Sequence, residues 1–239
     1  MNNPAFHNKK ILVTAGPTRE PIDPVRYISN HSTGKMGYAI AAELLEQEAE
    51  VILVSGPVAV TLQHPKLKMI HVTTASEMYL ACCRFFEIAD AAIFTAAVAD
   101  YRPDKIAVQK IKKSDPCFTI TMTKNIDIAC EFGKIKRRNQ VSVGFALETN
   151  NEQAHAIGKL TKKNFDMIIL NSMNDANATF GFDTNKISIF KADYSCTVYP
   201  LKPKKEVAAD IVHETGILLA MKDLQEVEEM TRDYESMYQ

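Results

Sequence analysis

The chain has 239 residues, 46% of them hydrophobic and 24% charged, with a net charge of -1 at pH 7. This composition suits a domain with a sizeable core and gives no overall electrostatic attraction to nucleic acid or an anionic membrane. No apolar run approaches the roughly 18 to 20 residues that span a bilayer. The segment 1–8 lacks the apolar core of a signal peptide, and five cysteines without a CxxC spacing fit a reducing cytoplasm.

In chain order, residues 11–15 read as a strand and 34–47 as a helix with Ile40, Leu44 and Leu45 on one face. Between them lies a polar loop of about twenty residues, Gly16 to Gly37, carrying Arg19, Arg26, Asn30 and Lys35. A dinucleotide fingerprint turns that corner in about six residues. A loop this long inside a compact domain has a function, and its place after a first strand is where α/β enzymes hold phosphorylated ligands. Residues 51–55 form a strand ending at Gly56-Pro57. A strand over 69–73 precedes a helix from Ser76, as N-cap, to about Ile88, with Cys82 and Cys83 in the core. The wholly apolar run 91–97 is expected at the centre of a parallel sheet.

Residues 101–125 break the rhythm with prolines, lysines and an alternating run, 118–122, and read as an excursion with its own strands. A strand at 141–146, a helix at 152–164 and a buried strand at 166–170 resume the alternation. The runs 186–190 and 196–199 predict a hairpin. A last helix is expected from Lys204 to about Leu219. After Met221 come six acids against two bases, an acidic tail over 222–239 expected to be a solvated helix end or loose. The pattern predicts a Rossmann-like α/β fold: a parallel sheet flanked by helices, with a β excursion and a hairpin. One domain is expected over 1–239, its core about 10–220.

Such sheets bind ligands beyond the carboxyl ends of their strands. The segments expected to share that rim are Gly16 to Gly37, Ala96 to Tyr101, Phe145 to Thr149, and Asn171 with Phe180 to Asn185. Lysines follow these segments at Lys110, Lys112, Lys113 and Lys124. Lys159 and Lys163 stand four apart on one helix face. Each alone reads as a solvated lysine; together they suit a polyphosphate. Ser32-Thr33-Gly34-Lys35-Met36 is no Walker loop, since Met36 stands where a hydroxyl should hold magnesium. Six scattered histidines support no metal site. His31 reads equally as a proton carrier or a turn residue.

The segments Gly16 to Gly37, Ala96 to Arg102, Lys110-Ile111-Lys112-Lys113, Lys124-Asn125 and Gly144 to Thr149 together resemble bacterial phosphopantothenoylcysteine synthetase. The likeness runs from about Lys10 to Leu218. It implies a phosphopantothenate–cysteine ligase of coenzyme A biosynthesis, the synthetase half of an enzyme whose other half is a flavin-dependent decarboxylase. With a first strand at residue 10, no decarboxylase half is expected here; that activity would belong to a separate or fused partner. The resemblance implies CTP with Mg2+, 4'-phosphopantothenate and L-cysteine as ligands, no flavin, an unassigned metal site, and a cytoplasmic homodimer using the excursion and hairpin.

By the same resemblance, Asn30 holds the acyl intermediate and Lys110 serves nucleotide activation. Ala96, Asp100, Lys110, Ile126, Asp127, Ile128, Ala129, Phe145, Lys159 and Lys163 fall at nucleotide-binding positions. Leu147 and Ile126 depart mildly from the family pattern, at positions where alanine and proline are usual. Arg19 and Arg26 are candidates for the substrate phosphate from loop position and charge, against equally weighted structural pairing with Glu20 or Asp23. A rival reading is an NAD(P)-binding oxidoreductase, against which stand the missing Gly-x-Gly-x-x-Gly turn and the absence of an acid at Ser55-Gly56-Pro57. A non-enzymatic nucleotide-binding regulatory subunit is the third.

Overall fold

The computed structural model describes residues 4–112, 116–172 and 182–237. Lys113, Phe180 and Gly181, counted above among rim and lysine positions, lie outside the described residues. After a single 3-10 turn, Pro4–Phe6, strand β1 (Lys10–Ala15) leads through a small antiparallel pair, β2 (Arg19–Pro21) and β3 (Tyr27–Ser29), to helix α1 (Lys35–Glu46). Then come β4 (Glu50–Ser55), β5 (Leu67–His71), α2 (Ala75–Cys83) and β6 (Ala91–Phe94). A second small pair, β7 (Tyr101–Pro103) and β8 (Met122–Lys124), precedes α3 (Ile128–Ile135), β9 (Val141–Glu148), α4 (Glu152–Lys162) and β10 (Met167–Ser172). The chain continues through β11 (Thr184–Asn185), β12 (Ile187–Lys191), β13 (Cys196–Val198), β14 (Lys202–Pro203) and α5 (Lys204–Met237).

The main sheet has the order β13-β12-β10-β9-β6-β1-β4-β5. From β10 to β5 every pairing is parallel, whereas β12 and β13 add an antiparallel hairpin at one edge. The chain leaves β1 first toward β4 and β5, then returns to its other side at β6. That reversal opens a crevice between the ends of β1 and β6.

Period-two alternation within each strand divides the core into two layers. Ile11, Val13, Val51, Leu53, Ile93, Val143 and Ile169 share a layer with residues of α1 and α5. Leu12, Ile52, Val54, Phe94, Ile168 and Leu170 share the other with residues of α2, α3 and α4. Helix α1 presses onto the sheet through Gly37, where a Cβ would collide with Thr95 Oγ1 and Ala15 Cβ and lie 3.2 Å from Ala15 Cα. Gly37→Ala is expected to destabilise the fold by about 1–3 kcal/mol. This should appear as a lower urea midpoint with an unchanged slope.

The structure corrects several local expectations. β5 begins two residues early, at Leu67, and α2 is capped by Thr74 rather than Ser76. Glu77 N donates to Thr74 Oγ1 at 3.2 Å while Thr74 N donates to Glu77 Oε2 at 3.2 Å, a reciprocal box that fixes the start. Cys82 is buried but Cys83 is exposed, because neighbours on a helix point about 100° apart. β6 stops at Phe94, and Ala97 instead bridges to Pro17 across the crevice. The alternating run 118–122 is strand only from Met122. Helix α5 does not end near Leu219 but runs through the acidic segment. Lys222 reaches Asp166 at 2.9 Å and Glu229 takes Arg138 at 2.6 Å, tying that segment to the body. No helix among the described residues is long and apolar enough to cross a membrane.

Candidate active site at the carboxyl ends of the strands

The loop after β1 is laced across the crevice to the loop after β6. Ala97 N donates to Gly16 O at 2.9 Å, and Ala99 N to Thr18 Oγ1 at 3.0 Å. Ser29 Oγ donates to Thr18 O at 2.8 Å, turning the strand pair β2–β3 back over the crevice. This return delivers Asn30, whose Nδ2 donates to Ala97 O at 2.9 Å. The loop enters α1 through Gly34 at φ 76°, a left-handed conformation suited to glycine.

Two cavities open on this rim. One, of about 330 Å³, is lined by Asn30, the segment Ser32 to Gly37, Ala96, Phe145, Asn171 and Lys204. The other, of about 420 Å³, is lined by Asp100, Lys124, the segment Ile126 to Ala129, Phe145 and Lys163. Ala96, Val98 and Phe145 belong to both walls. The small side chain of Ala96 adds little bulk to the wall they share. Asn125, buried, donates from Nδ2 to Ala99 O at 2.8 Å and accepts from Arg102 at 2.9 Å, so the excursion's base is welded to the β6 loop.

Four lysines at these walls are individually held. Lys35 Nζ meets Asp183 at 2.6 Å, and that carboxyl is held below its ordinary range by the lysine. Lys204 donates to Thr184 O at 2.9 Å and Asn185 Oδ1 at 3.1 Å. Burial, then the nearby charge of Lys35, lowers the Lys204 pKa. On α4, Lys159 pairs with Glu148 at 2.7 Å and Lys163 with Asp127 at 2.9 Å. Asp127 also caps α3, accepting from Cys130 N at 3.2 Å. Among the described residues, Asn171 Oδ1 is a buried oxygen without a hydrogen-bond partner, and it borders the first cavity.

Residues 6–217 match the family model described as the DNA/pantothenate metabolism flavoprotein C-terminal domain. The chain belongs to this family. Coenzyme A biosynthesis bifunctional protein CoaBC of Bacillus subtilis (strain 168) is 40% identical over 213 residues, 89% of this chain and 52% of that protein. A cysteine/cysteine sulfinic acid decarboxylase of an unknown prokaryotic organism is 45% identical over 209 residues, covering 87% of this chain and 58% of that one. The chain thus spans about half the length of the curated relatives it matches. The crystal structure of the C-terminal domain of CoaBC superposes with a TM-score of 0.77 at 39% identity, covering 92% of this chain and 99% of that one.

Within this flavoprotein C-terminal domain fold, Asn30, Ala96, Phe145 and Lys159 meet at the first cavity. Ala96, Asp100, Ile126, Asp127, Ile128, Ala129, Phe145 and Lys163 meet at the second. Lys110 is exposed and lines neither cavity; Arg19 and Arg26, both half-buried, line neither as well. Arg19 lies over the Tyr27 ring, 4.6 Å from its centroid. Arg26 is locked to buried Asp23 and also donates to Ile111 O at 3.2 Å. Lys204, absent from the sequence candidates, gave no signal there beyond opening a helix. Asn171 and Asn185 stood in the predicted rim without a role.

Asp23 is the hub of the loop. It accepts from Val25 N and Arg26 N at 2.9 Å and from Ile111 N at 3.1 Å, besides the Arg26 guanidinium. That guanidinium, with the backbone donors, holds its carboxyl well below the usual carboxylate range. A depressed folded pKa gives stability that is full above the unfolded value near 3.9 and is lost as pH falls through the folded value. Amide exchange at Val25 and Ile111 should therefore stay slow at pH 4 and accelerate only in stronger acid. Early release near pH 5 would contradict this account.

Proposed function

We propose that this chain is a phosphopantothenate–cysteine ligase, acting as one ligase domain over 1–239. The observation that carries the reading is that the lysine-bearing cavity holding Asn30 shares its Ala96–Phe145 wall with a second lysine-bearing cavity. It is supported by a chain that covers nearly all of the CoaBC C-terminal domain. In the proposed reaction the carboxylate of 4'-phosphopantothenate attacks the α-phosphorus of CTP, displacing pyrophosphate. The amine of L-cysteine then attacks the acyl carbon of the acyl-cytidylate, losing a proton and displacing CMP. A carboxylate is a poor electrophile, so its oxygen must first become a phosphoryl leaving group.

In this reading the nucleotide occupies the cavity of Asp100, Ile126, Asp127, Ile128, Ala129 and Lys163, with Lys159 on the adjoining cavity's wall, which shares Phe145. The amino end of α1, flanked by Lys35 and Lys204, suits the phosphate of the other substrate, because free N–H groups there favour an anion. Asn171 Oδ1 offers an acceptor to that substrate's amide or hydroxyl donors. Asp100, an exposed carboxylate on the nucleotide wall, is an oxygen donor available to magnesium carried on the phosphates, where the ion would neutralise charge.

Lys110, Arg19 and Arg26 fit this chemistry across a subunit contact. They sit on the loop–excursion projection, where Val25, Ile106, Val108 and Phe118 are exposed apolar side chains. A homodimer formed there would bury that patch and carry Lys110 toward the partner's cavities. A flavin-dependent decarboxylase, separate or fused, would supply the counterpart activity. The turn from β1 into α1, long and without a Gly-x-Gly-x-x-Gly, disfavours the oxidoreductase reading.

The test is magnesium-dependent pyrophosphate release with 4'-phosphopantothenate, comparing CTP with ATP, with and without cysteine. CTP-dependent release with CMP and amide product supports the ligase. No release from folded protein with either nucleotide would end the catalytic reading.

A further inference from the structure

We infer that Glu148 is a positioning residue: it holds Lys159 on the wall of the first cavity, which shares Phe145 with the second, where its ammonium meets a polyphosphate. This rests on the nucleotide reading above. The alternation of β9 turns Phe145 and Leu147 to one face and Ala146 and Glu148 to the other, where Ala146 packs in one layer with Ala156 and Leu160 of α4. Glu152, His155 and Lys159 lie three and four apart on α4 and present one face to the end of β9.

The Glu148 side chain is only 13% exposed and uses both oxygens: Oε1 takes Lys159 Nζ at 2.7 Å, and Oε2 lies 3.3 Å from His155 Nδ1. Glu152 is in turn bonded to Ser172 Oγ of β10, the residue paired with Glu148 across the strands. The helix, the two strands and the carboxylate therefore form one brace. An ammonium has three donors, so Lys159 keeps two for phosphate oxygens after bonding Glu148. A free lysine would lose side-chain freedom when an anion bound; this one has already lost much of it.

Two effects compete when Glu148 is removed. Losing its negative charge should favour an anion about 6 Å away by about threefold in a water-like medium. Losing the brace should weaken binding by about tenfold, as for other groups whose orientation is set by a neighbour. The inference requires the second to win.

The experiment is calorimetric binding of tripolyphosphate to the wild type, Glu148→Ala, Lys159→Ala and the double variant, with steady-state kinetics in CTP. Glu148→Ala should bind about threefold more weakly, the tenfold loss of the brace being partly offset by the threefold charge relief, and the double variant no more weakly than Lys159→Ala alone, because the brace acts only through that lysine. The CTP KM should rise with kcat held, and Glu148→Gln, which keeps an acceptor, should recover part of the affinity. Tighter binding in Glu148→Ala, additive losses in the double variant, or no tripolyphosphate binding by the wild type would each overturn the inference. Wild-type binding without amide formation would instead remove the ligase reading and leave the brace standing.

Discussion

Replacing Asn30 with alanine is expected to lower amide formation by about a hundredfold or more, while acyl-cytidylate still forms and accumulates. Asn30 is an uncharged donor on the wall of the first cavity, fixed by its bond to Ala97 O and therefore not free to follow the substrate. One Nδ2 hydrogen serves that bond and the other is available to an acyl oxygen. In the proposed reaction negative charge develops on that oxygen as cysteine attacks, and losing one preorganised donor would cost about 3 kcal/mol. The residue is exposed and lies outside the core, so the variant should fold normally. Rapid quenching with labelled CTP reads the intermediate directly. Equal loss of pyrophosphate release and amide formation would move Asn30 from the second step to substrate binding.

Mixing Asn30→Ala protein with Lys110→Ala protein, each expected to be impaired in amide formation, is expected to restore it. If Lys110 serves the partner's cavities, a mixed dimer has one site with both residues intact and one with neither. Random exchange makes half the dimers mixed, so activity should return to about a quarter of wild type. If Lys110 acted within its own chain, every site would lack one residue and nothing would return. The contrast does not depend on the absolute rate. It follows from an exposed lysine beside the Asp23–Arg26–Ile111 contacts, on a projection rich in exposed apolar groups.

Much of the fold was legible because the strands announce themselves by pattern. The runs at 11–15, 51–55, 91–94 and 141–146 are apolar on both faces, as central parallel strands must be, and the hairpin at the edge showed in its turn. The cap at Thr74 was missed because Ser76 offered the same hydroxyl chemistry two residues later; only the reach of Glu77 decides between them. The run of α5 past Leu219 was hidden because its charged residues look solvated until Arg138 and Lys9 meet its acids and Asp166 meets Lys222. The segments that leave the carboxyl ends of the strands and line the two cavities were readable from order alone. The reach of Lys110 was not, since sequence order does not say which way an excursion projects. Lys204 belongs to the rim only because β14 folds back against β11.

Phe6 is buried in the layer it shares with α5, and Lys9 is fastened to Asp223 at 2.8 Å. The amino end of the described chain is thereby clamped at the foot of the sheet, and the six residues of β1 put it roughly 20 Å below the rim. A tag, a surface linkage or another polypeptide joined there would behave as a stalk. It would pull on α5 and on the base of β1, and it would leave both cavities facing away from the point of attachment, open to whatever diffuses past.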